Sequence, residues 1–365
     1  MKVLIDDGMS IRKSTGIGNY TWYLYNALVK NGIDATLNCF ETKAKNKLLK
    51  RIKYLFYINS KKFLKMSSKY NIVHFTNFNL PIFKNKKAKY VVTIHDLGVF
   101  IVPKTFSLLF RVFSKLSIKH SLKHADLVLV ISQSVKNEII ERFPKYSDKV
   151  TFIYPGHYNA IKKEYYDKLV FDSSVLNSSI GNRGFFLFVG TIESRKNISF
   201  IIDSYILFRN SNPSTHVKMV LAGRFGHCSK FILKKAQNSQ FSSDIIFTGF
   251  VSTDDINKLY NSALGYIYAP IYEGFGSTQL ECMSCGLPLV LSDISTNREV
   301  SREYGVFFEL KDKHSLSEKM KYLISDHIDY QKIYQIGNMI CKHFSWDLLV
   351  TQYIKAYKDI EAANL

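Results

Sequence analysis

Short apolar runs, each followed by a loop and a helical stretch, recur in two series along this 365-residue chain, an alternation that predicts parallel, doubly wound α/β sheets. The first series predicts a strand at Lys2–Ile5, a loop through Gly16-Ile17-Gly18-Asn19, and a helix from Tyr20 to Val29 that Asn31-Gly32 ends. Strands are expected at Ile72–Phe75, Tyr90–Ile94, Leu127–Ile131 and Thr151–Tyr154, with helices over Phe106–His124 and Ser134–Phe143, the latter stopped by Pro144. After Pro155-Gly156 the periodicity fades until Gly184. A second series then starts at Phe185–Val189 and continues through a helix from Ile198, a strand at Val217–Ala222, a helix around Lys230–Gln237, and strands at Ile245–Thr248, Gly265–Ala269 and Leu289–Leu291. The length also exceeds what one core usually supports. The expected organisation is a first domain over 1–165, a linker over 166–184, a second domain over 185–345 and a last helix over 346–365. Tandem sheets of this kind place a ligand cleft where the loops at their carboxyl ends face each other.

Charge narrows the set of partners. The chain carries a formal +20, and residues 1–182 hold 30 Lys and Arg against 12 Asp and Glu. From Thr42 to His95 there are 14 cations and no acid, with Tyr54, Phe56, Tyr57 and Phe63 interleaved. Such a stretch attracts an anionic surface. Nucleic acid is not the expected partner, because no helix-turn-helix, zinc-finger or RNA-binding signature accompanies the charge. No apolar run approaches the roughly 18 residues of a membrane span, and the start MKVLIDDGMS lacks a signal-peptide core, so the expected location is the cytoplasm. Five scattered cysteines read as reduced thiols, and Cys282-x2-Cys285 lacks a second ligand pair, so it reads as packing rather than metal binding.

The segment richest in chemistry is Pro270-Ile-Tyr-Glu273-Gly274-Phe275-Gly276-Ser277-Thr278-Gln-Leu-Glu281, closed by Gly286-Leu-Pro288. Gly274 and Gly276 let the backbone approach a ligand, and a helix starting near Ser277 offers unpaired N–H groups to a phosphate. Carboxylates are acceptors only. Glu273 and Glu281, on either side of that anion site, therefore suit hydroxyl groups flanking a diphosphate, as a nucleotide sugar presents them. Glu273, in a loop, is expected to face solvent. One strand earlier, Val189-Gly190 leads to Arg195-Lys196-Asn197, two cations at a helix start whose dipole they oppose, which calls for an anionic ligand there. Thr248-Gly249-Phe250-Val251 ends a further strand and can show backbone groups to a base. A dinucleotide fingerprint is absent, since Thr21 stands where Gly16-x-Gly18 would need a third glycine.

In their order along the chain, Gly16-Ile-Gly18-Asn-Tyr, Thr93-Ile-His95-Asp96-Leu, Gly190-Thr-Ile-Glu-Ser-Arg195-Lys196-Asn, Thr248-Gly249-Phe-Val251, the Glu-x7-Glu unit and Phe344-Ser-Trp346 resemble glycosyltransferase family 4, of GT-B architecture. The form with His-Asp is similar to bacterial mannosyltransferases of O-antigen and related polysaccharides. The resemblance implies two Rossmann-like domains and a last helix crossing back to the first. It implies that Glu273 holds donor-hexose hydroxyls, Glu281 the ribose diol, and Arg195 with Lys196 the diphosphate, helped by backbone N–H groups at Gly276, Ser277 and Thr278. Gly16 and Gly18 would close on phosphate and acceptor, and His95 would lie beside the transferring sugar. Where the family commonly has Pro, this chain has Ser277 or Thr278. The implied reaction moves a hexose, with retention, from a nucleotide-diphosphate sugar to a polyprenyl-diphosphate-linked glycan at the inner face of the cytoplasmic membrane. GDP-mannose is the preferred donor. Rhamnose, fucose, glucose or N-acetylglucosamine from a UDP, dTDP or GDP donor is the alternative. No cofactor or metal is expected, because fixed cations can neutralise the leaving diphosphate and the chain contains no Asp-x-Asp.

Overall fold

The computed structural model describes residues 1–8, 15–44, 46–157, 161, 163–164, 176, 184–325 and 327–363. The expected domain end at 165 and linker at 166–184 lie, Leu176 and Gly184 apart, outside the described residues. The chain forms two compact units, one of Met1–Ile101, Ser107–Gly156 and Phe344–Leu365, the other of Val102–Phe106 and His157–His343.

In the first unit, strands β1 (Lys2–Asp6), β2 (Asp34–Asn38), β3 (Ile72–Phe75), β4 (Lys89–Ile94), β5 (Leu127–Val130) and β6 (Val150–Phe152) form one sheet in the order β2-β1-β3-β4-β5-β6. Every pairing is parallel. The order reverses between β1 and β3, the switch point at which such sheets bind ligands. Central strands β3 and β5 are buried throughout, as parallel strands covered by helices on both faces must be. The last helix, Trp346–Ala362, belongs to this unit. Its Trp346, Val350, Tyr353 and Tyr357, at helical spacing, share a core with Val3, Ile5, Tyr20, Leu24 and Leu28.

The helix expected from Tyr20 begins at Gly16 instead. Thr15 caps it by accepting from the Gly18 N–H at 3.0 Å, so Gly16 and Gly18 form its first turn rather than an open loop. The acid-free stretch folds into helices Lys47–Ile58 and Lys61–Ser67. Of its aromatic residues Tyr54 and Phe63 are buried, Tyr57 stacks on Phe40 and donates to Asn38 Oδ1 at 2.8 Å, and Phe56 is 75% exposed.

In the second unit, β7 (Phe185–Val189), β8 (Lys218–Ala222), β9 (Ile245–Gly249), β10 (Gly265–Tyr268), β11 (Leu289–Ser292) and β12 (Gly305–Phe308) form a parallel sheet in the order β12-β11-β10-β7-β8-β9. Counted from β7 this is the 3-2-1-4-5-6 order of the dinucleotide-binding folds, with the switch point between β7 and β10. β2 and β12 were not legible as strands. Both are edge strands, where partial exposure removes the continuous apolar run that marks the inner ones. Among the described residues, no helix is long and apolar enough to cross a membrane.

Candidate functional site

The carboxyl ends of β7 and β10, on either side of the switch point, carry the charged residues. Past β7 and Gly190 the chain makes a tight turn, Ser194–Lys196, and the Ile271 N–H donates to the Arg195 carbonyl at 3.1 Å, tying that turn to the loop after β10. Arg195 and Lys196 thereby meet Glu273. Arg195 Nη1 donates to Glu273 Oε1 at 3.1 Å and to the Tyr272 carbonyl at 3.2 Å, while Nη2 reaches Glu193 Oε1 at 3.1 Å. Lys196 Nζ bonds Glu273 Oε2 and lies 2.7 Å from the Tyr268 hydroxyl, which donates to the same Oε2 at 2.6 Å. Thr296 holds the Glu273 backbone by donating to its carbonyl at 2.8 Å.

This arrangement corrects one expectation. Glu273 does not face solvent: its side chain is 12% exposed, beside Lys196 at 13% and Arg195 at 15%. The cations are paired with carboxylates, both with Glu273 and Arg195 also with Glu193. Burial alone would raise the Glu273 carboxyl, yet Lys196 and Arg195, with hydrogen bonds from Lys196 and Tyr268, hold it well below the usual carboxylate range. Burial lowers the Lys196 ammonium, and Glu273 only partly opposes this. Fixed cations in so dry a site act strongly on any charge that develops beside them.

The helix after β10 is Thr278–Cys285, with Glu281 in its first turn and Gly286 as its left-handed C-cap. Gly276 has φ +80°, a conformation that brings the chain into that N-terminus and that L residues rarely adopt. Gly274 and Phe275 are buried, while Ser277 and Thr278 are half-buried at the helix start. The Tyr266 hydroxyl lies 3.0 Å from both the Val189 carbonyl and Thr278 Oγ1, joining β7 to the helix. Glu281 accepts from the Tyr260 hydroxyl at 2.7 Å, and burial pushes its carboxyl up to about 7. Its environment is thus the reverse of that of Glu273, although both come from one motif. Gly249, at the end of β9, accepts through its carbonyl from the Gly223 N–H at 2.9 Å, and Val251 follows half-buried. Gly223 has φ +145°, and a Cβ there would lie 1.9 Å from the Gly190 carbonyl oxygen, so β7 and β8 can end this close together only over glycine.

Gly16, Gly18 and His95 lie in the first unit, at the carboxyl ends of β1 and β4. The His95 ring meets Tyr20 edge-on at 5.1 Å, which brings it to the helix that Gly16 starts. Its Nε2–H donates to the Thr76 carbonyl at 2.8 Å, and burial lowers its pKa, so the neutral ring carries its lone pair on Nδ1. Deeper in, His74 bridges Tyr357 and Thr93 at 2.7 Å each, and burial pushes it down to about 3. Asp6, fully buried, accepts from Tyr54, Asn38 and the Gly8 N–H, and burial pushes it up to about 7.

Tyr268, Tyr260, Glu193, Thr296 and Gly223 take part in the site without having been singled out from sequence. Tyr266 and Tyr268 alternate on a strand and read as core; Glu193 lies in the loop just before the Ser194–Lys196 turn, where no periodic pattern marks it. Among the described residues no three His, Cys, Asp or Glu side chains gather as a metal site.

Residues 14–157 match the family described as glycosyltransferase family 4, and residues 174–338 match glycosyl transferases group 1. Over 289 residues the chain is 28% identical to the O-antigen chain mannosyltransferase B of Escherichia coli, across 79% of this chain and 74% of that protein. It is 24% identical to the O-antigen chain mannosyltransferase RfbU of Salmonella typhimurium, across 78% of this chain and 75% of that one. Among solved structures, Anabaena Alr3699/HepE in complex with UDP and glucose is similar at a TM-score of 0.72 and 16% identity, over 98% of this chain and 100% of that one. That last likeness concerns the fold.

Proposed function

The chain belongs to glycosyltransferase family 4, with the GT-B architecture, and from that membership we propose that it moves mannose from GDP-mannose to a lipid-diphosphate-linked glycan in bacterial surface-polysaccharide synthesis. The observation that carries this reading is the Arg195–Glu273–Lys196 cluster at the switch point between β7 and β10. Cleaving the anomeric bond develops positive charge on the sugar and negative charge on the departing diphosphate. Arg195 and Lys196 place two fixed positive charges side by side, so they can stabilise the phosphate while the carboxylate keeps them in place and accepts from a hexose hydroxyl. The N-terminus of Thr278–Cys285 adds backbone N–H groups to the same charge. Glu281 takes the ribose diol.

With the leaving diphosphate accepting the acceptor's proton on the same face, configuration is retained without a protein nucleophile, and no metal is required. His95, neutral and with a lone pair on Nδ1, is suited to accept from a sugar hydroxyl. The acceptor would be confined to the inner leaflet, and the cations between Thr42 and His95 would hold the protein peripherally on its anionic surface. Isothermal titration with GDP, UDP and dTDP tests the donor: the expected result is binding of GDP above the others. Tight UDP or dTDP binding without GDP binding would replace mannose by another sugar from such a donor.

A further inference from the structure

We propose that Tyr268, the last residue of β10, is a positioning residue for sugar transfer, whose hydroxyl fixes the Lys196 ammonium beside Glu273 as the diphosphate leaves. The inference rests on the transferase reading and deepens it, since it gives a part in the reaction to a buried side chain behind the charges.

Packing at this position needs only a ring. The Tyr268 ring is buried, lies against Phe188 of β7 at a centroid distance of 6.3 Å and against Tyr266 at 5.7 Å, and its Cε1 would be 3.5 Å from a Cβ on Gly276. Phenylalanine would fill the same space. The hydroxyl is what phenylalanine lacks, and burying it is unfavourable unless it is hydrogen-bonded. Its partners are both charged: it donates to Glu273 Oε2 at 2.6 Å and accepts from Lys196 Nζ at 2.7 Å. Lys196 bonds the same Oε2, so the hydroxyl, the ammonium and the carboxylate oxygen close a triangle.

A hydroxyl has one proton. Here Glu273 Oε2 takes it, which turns the oxygen lone pairs to Lys196 and favours the ammonium over the neutral amine. Burial lowers the Lys196 ammonium and Arg195 lowers it further, while Glu273 and Glu193 raise it. The charged and titratable groups facing Lys196 are therefore Arg195 and Glu193 from its own turn, and Glu273 and Tyr268 from β10 and the loop after it. Burial, with Glu273 beside it, pushes the Tyr268 phenol well above its ordinary value, so it keeps its proton at neutral pH. Without the hydroxyl, Lys196 loses an acceptor that both aims it and holds its charge, and that charge is lost at lower pH.

The test compares Tyr268→Phe with wild type and with Tyr205→Phe, in transfer and in melting. Tyr205 is a matched control: its hydroxyl donates to the Val217 carbonyl at 2.7 Å and accepts from Arg209 at 2.9 Å, a cation that does not titrate in the working range. At neutral pH, Tyr268→Phe is expected to lower kcat roughly tenfold, as loss of one hydrogen bond to a charged group does, with donor KM changed less than about twofold. The active form has Lys196 charged, so turnover falls as pH rises through its folded pKa. The variant lowers that pKa, and the basic limb of its kcat profile should lie at lower pH than in wild type. Melting reads the same coupling without activity, because a cation whose folded pKa lies below its unfolded one adds stability as pH rises between the two. The variant enters that window earlier, so its melting deficit should be largest at about pH 7 and narrow towards about pH 9.5, whereas the deficit of Tyr205→Phe should stay flat. A basic limb unmoved in Tyr268→Phe, whether or not kcat falls, or a deficit as flat as the control's, would overturn the inference. Either result leaves the transferase reading intact while wild type transfers; a wild type that transfers from no donor would instead sink that reading, and the positioning role with it.

Discussion

Replacing Glu273 by Gln keeps the shape of the side chain and removes one charge, and the structure says what that costs. Oε1 accepts from Arg195, while Oε2 accepts from both Lys196 and Tyr268. An amide offers one acceptor, so either flip sets its NH2 against a donor and leaves two adjacent, largely buried cations without the Glu273 charge. Breaking a buried pair from one side costs about 3–5 kcal/mol, and the 12–15% exposure of these side chains favours the lower end. For a unit of this size about 3 kcal/mol corresponds to a melting shift of roughly 6–12 °C. Burial already depresses the Lys196 pKa, so in the variant the unfolded state binds the more protons below the ordinary lysine range, and the deficit should narrow as pH rises towards 10. Scanning calorimetry of Glu273→Gln, Lys196→Met and the double variant reads this directly, with the double variant less destabilised than the sum of the singles. A melting shift below 2 °C with additive effects would refute the claim that the three side chains act as one buried unit.

Glu281 has the opposite dependence. Its carboxyl rises from 4.5 to about 7, so the stability tied to its protonated form is complete below about pH 4.5 and is lost as pH passes 7, a loss of roughly 3 kcal/mol. Glu281→Gln is therefore expected to melt higher than wild type at pH 8 but not at pH 4.5, while binding nucleotide more weakly; equal melting at both values would contradict this. Gly223→Ala should lower stability by at least about 2 kcal/mol, because its Cβ would meet the Gly190 carbonyl, and an unchanged melting temperature would show that the strand ends can separate. Arg195→Ala and Lys196→Ala should each slow turnover roughly ten- to hundredfold, as loss of a charge-assisted contact of about 1.5–3 kcal/mol requires. EDTA should leave wild-type turnover intact, and rescue of an EDTA-treated enzyme by magnesium or manganese would refute metal independence.

The inner strands of both sheets were legible because parallel strands covered on both faces need continuous apolar runs, as at Leu127–Val130 and Leu289–Ser292. Arg195 and Lys196 were legible because two cations at a helix start oppose its dipole, and Glu273 because it stands beside a glycine turn that leads into a helix N-terminus. Their mutual pairing was not, since it depends on β7 and β10 being neighbours despite the two strands between them in the chain. The same limit hid Tyr54, whose spacing within a basic helix suggests a surface ring but whose hydroxyl is engaged by Asp6, 48 residues away. Gly16 and Gly18 looked like a loop because glycine disfavours helices, and the Thr15 cap outweighs that preference. The outward leucines of Leu108–His124 carry the periodicity of an ordinary core-facing helix, and periodicity alone does not say which side is covered.

The central claim, that this chain transfers a sugar from a nucleotide-diphosphate donor, is tested most directly by following label from the hexose of GDP-mannose, and in parallel of UDP- and dTDP-sugars, into the lipid fraction of membranes carrying diphosphate-linked glycans. Wild-type protein in EDTA is expected to move label from GDP-mannose with release of GDP, and Glu273→Gln held well below its melting temperature is expected to move almost none. No labelled lipid from any of these donors, or equal transfer by the folded Glu273→Gln variant, would contradict the account.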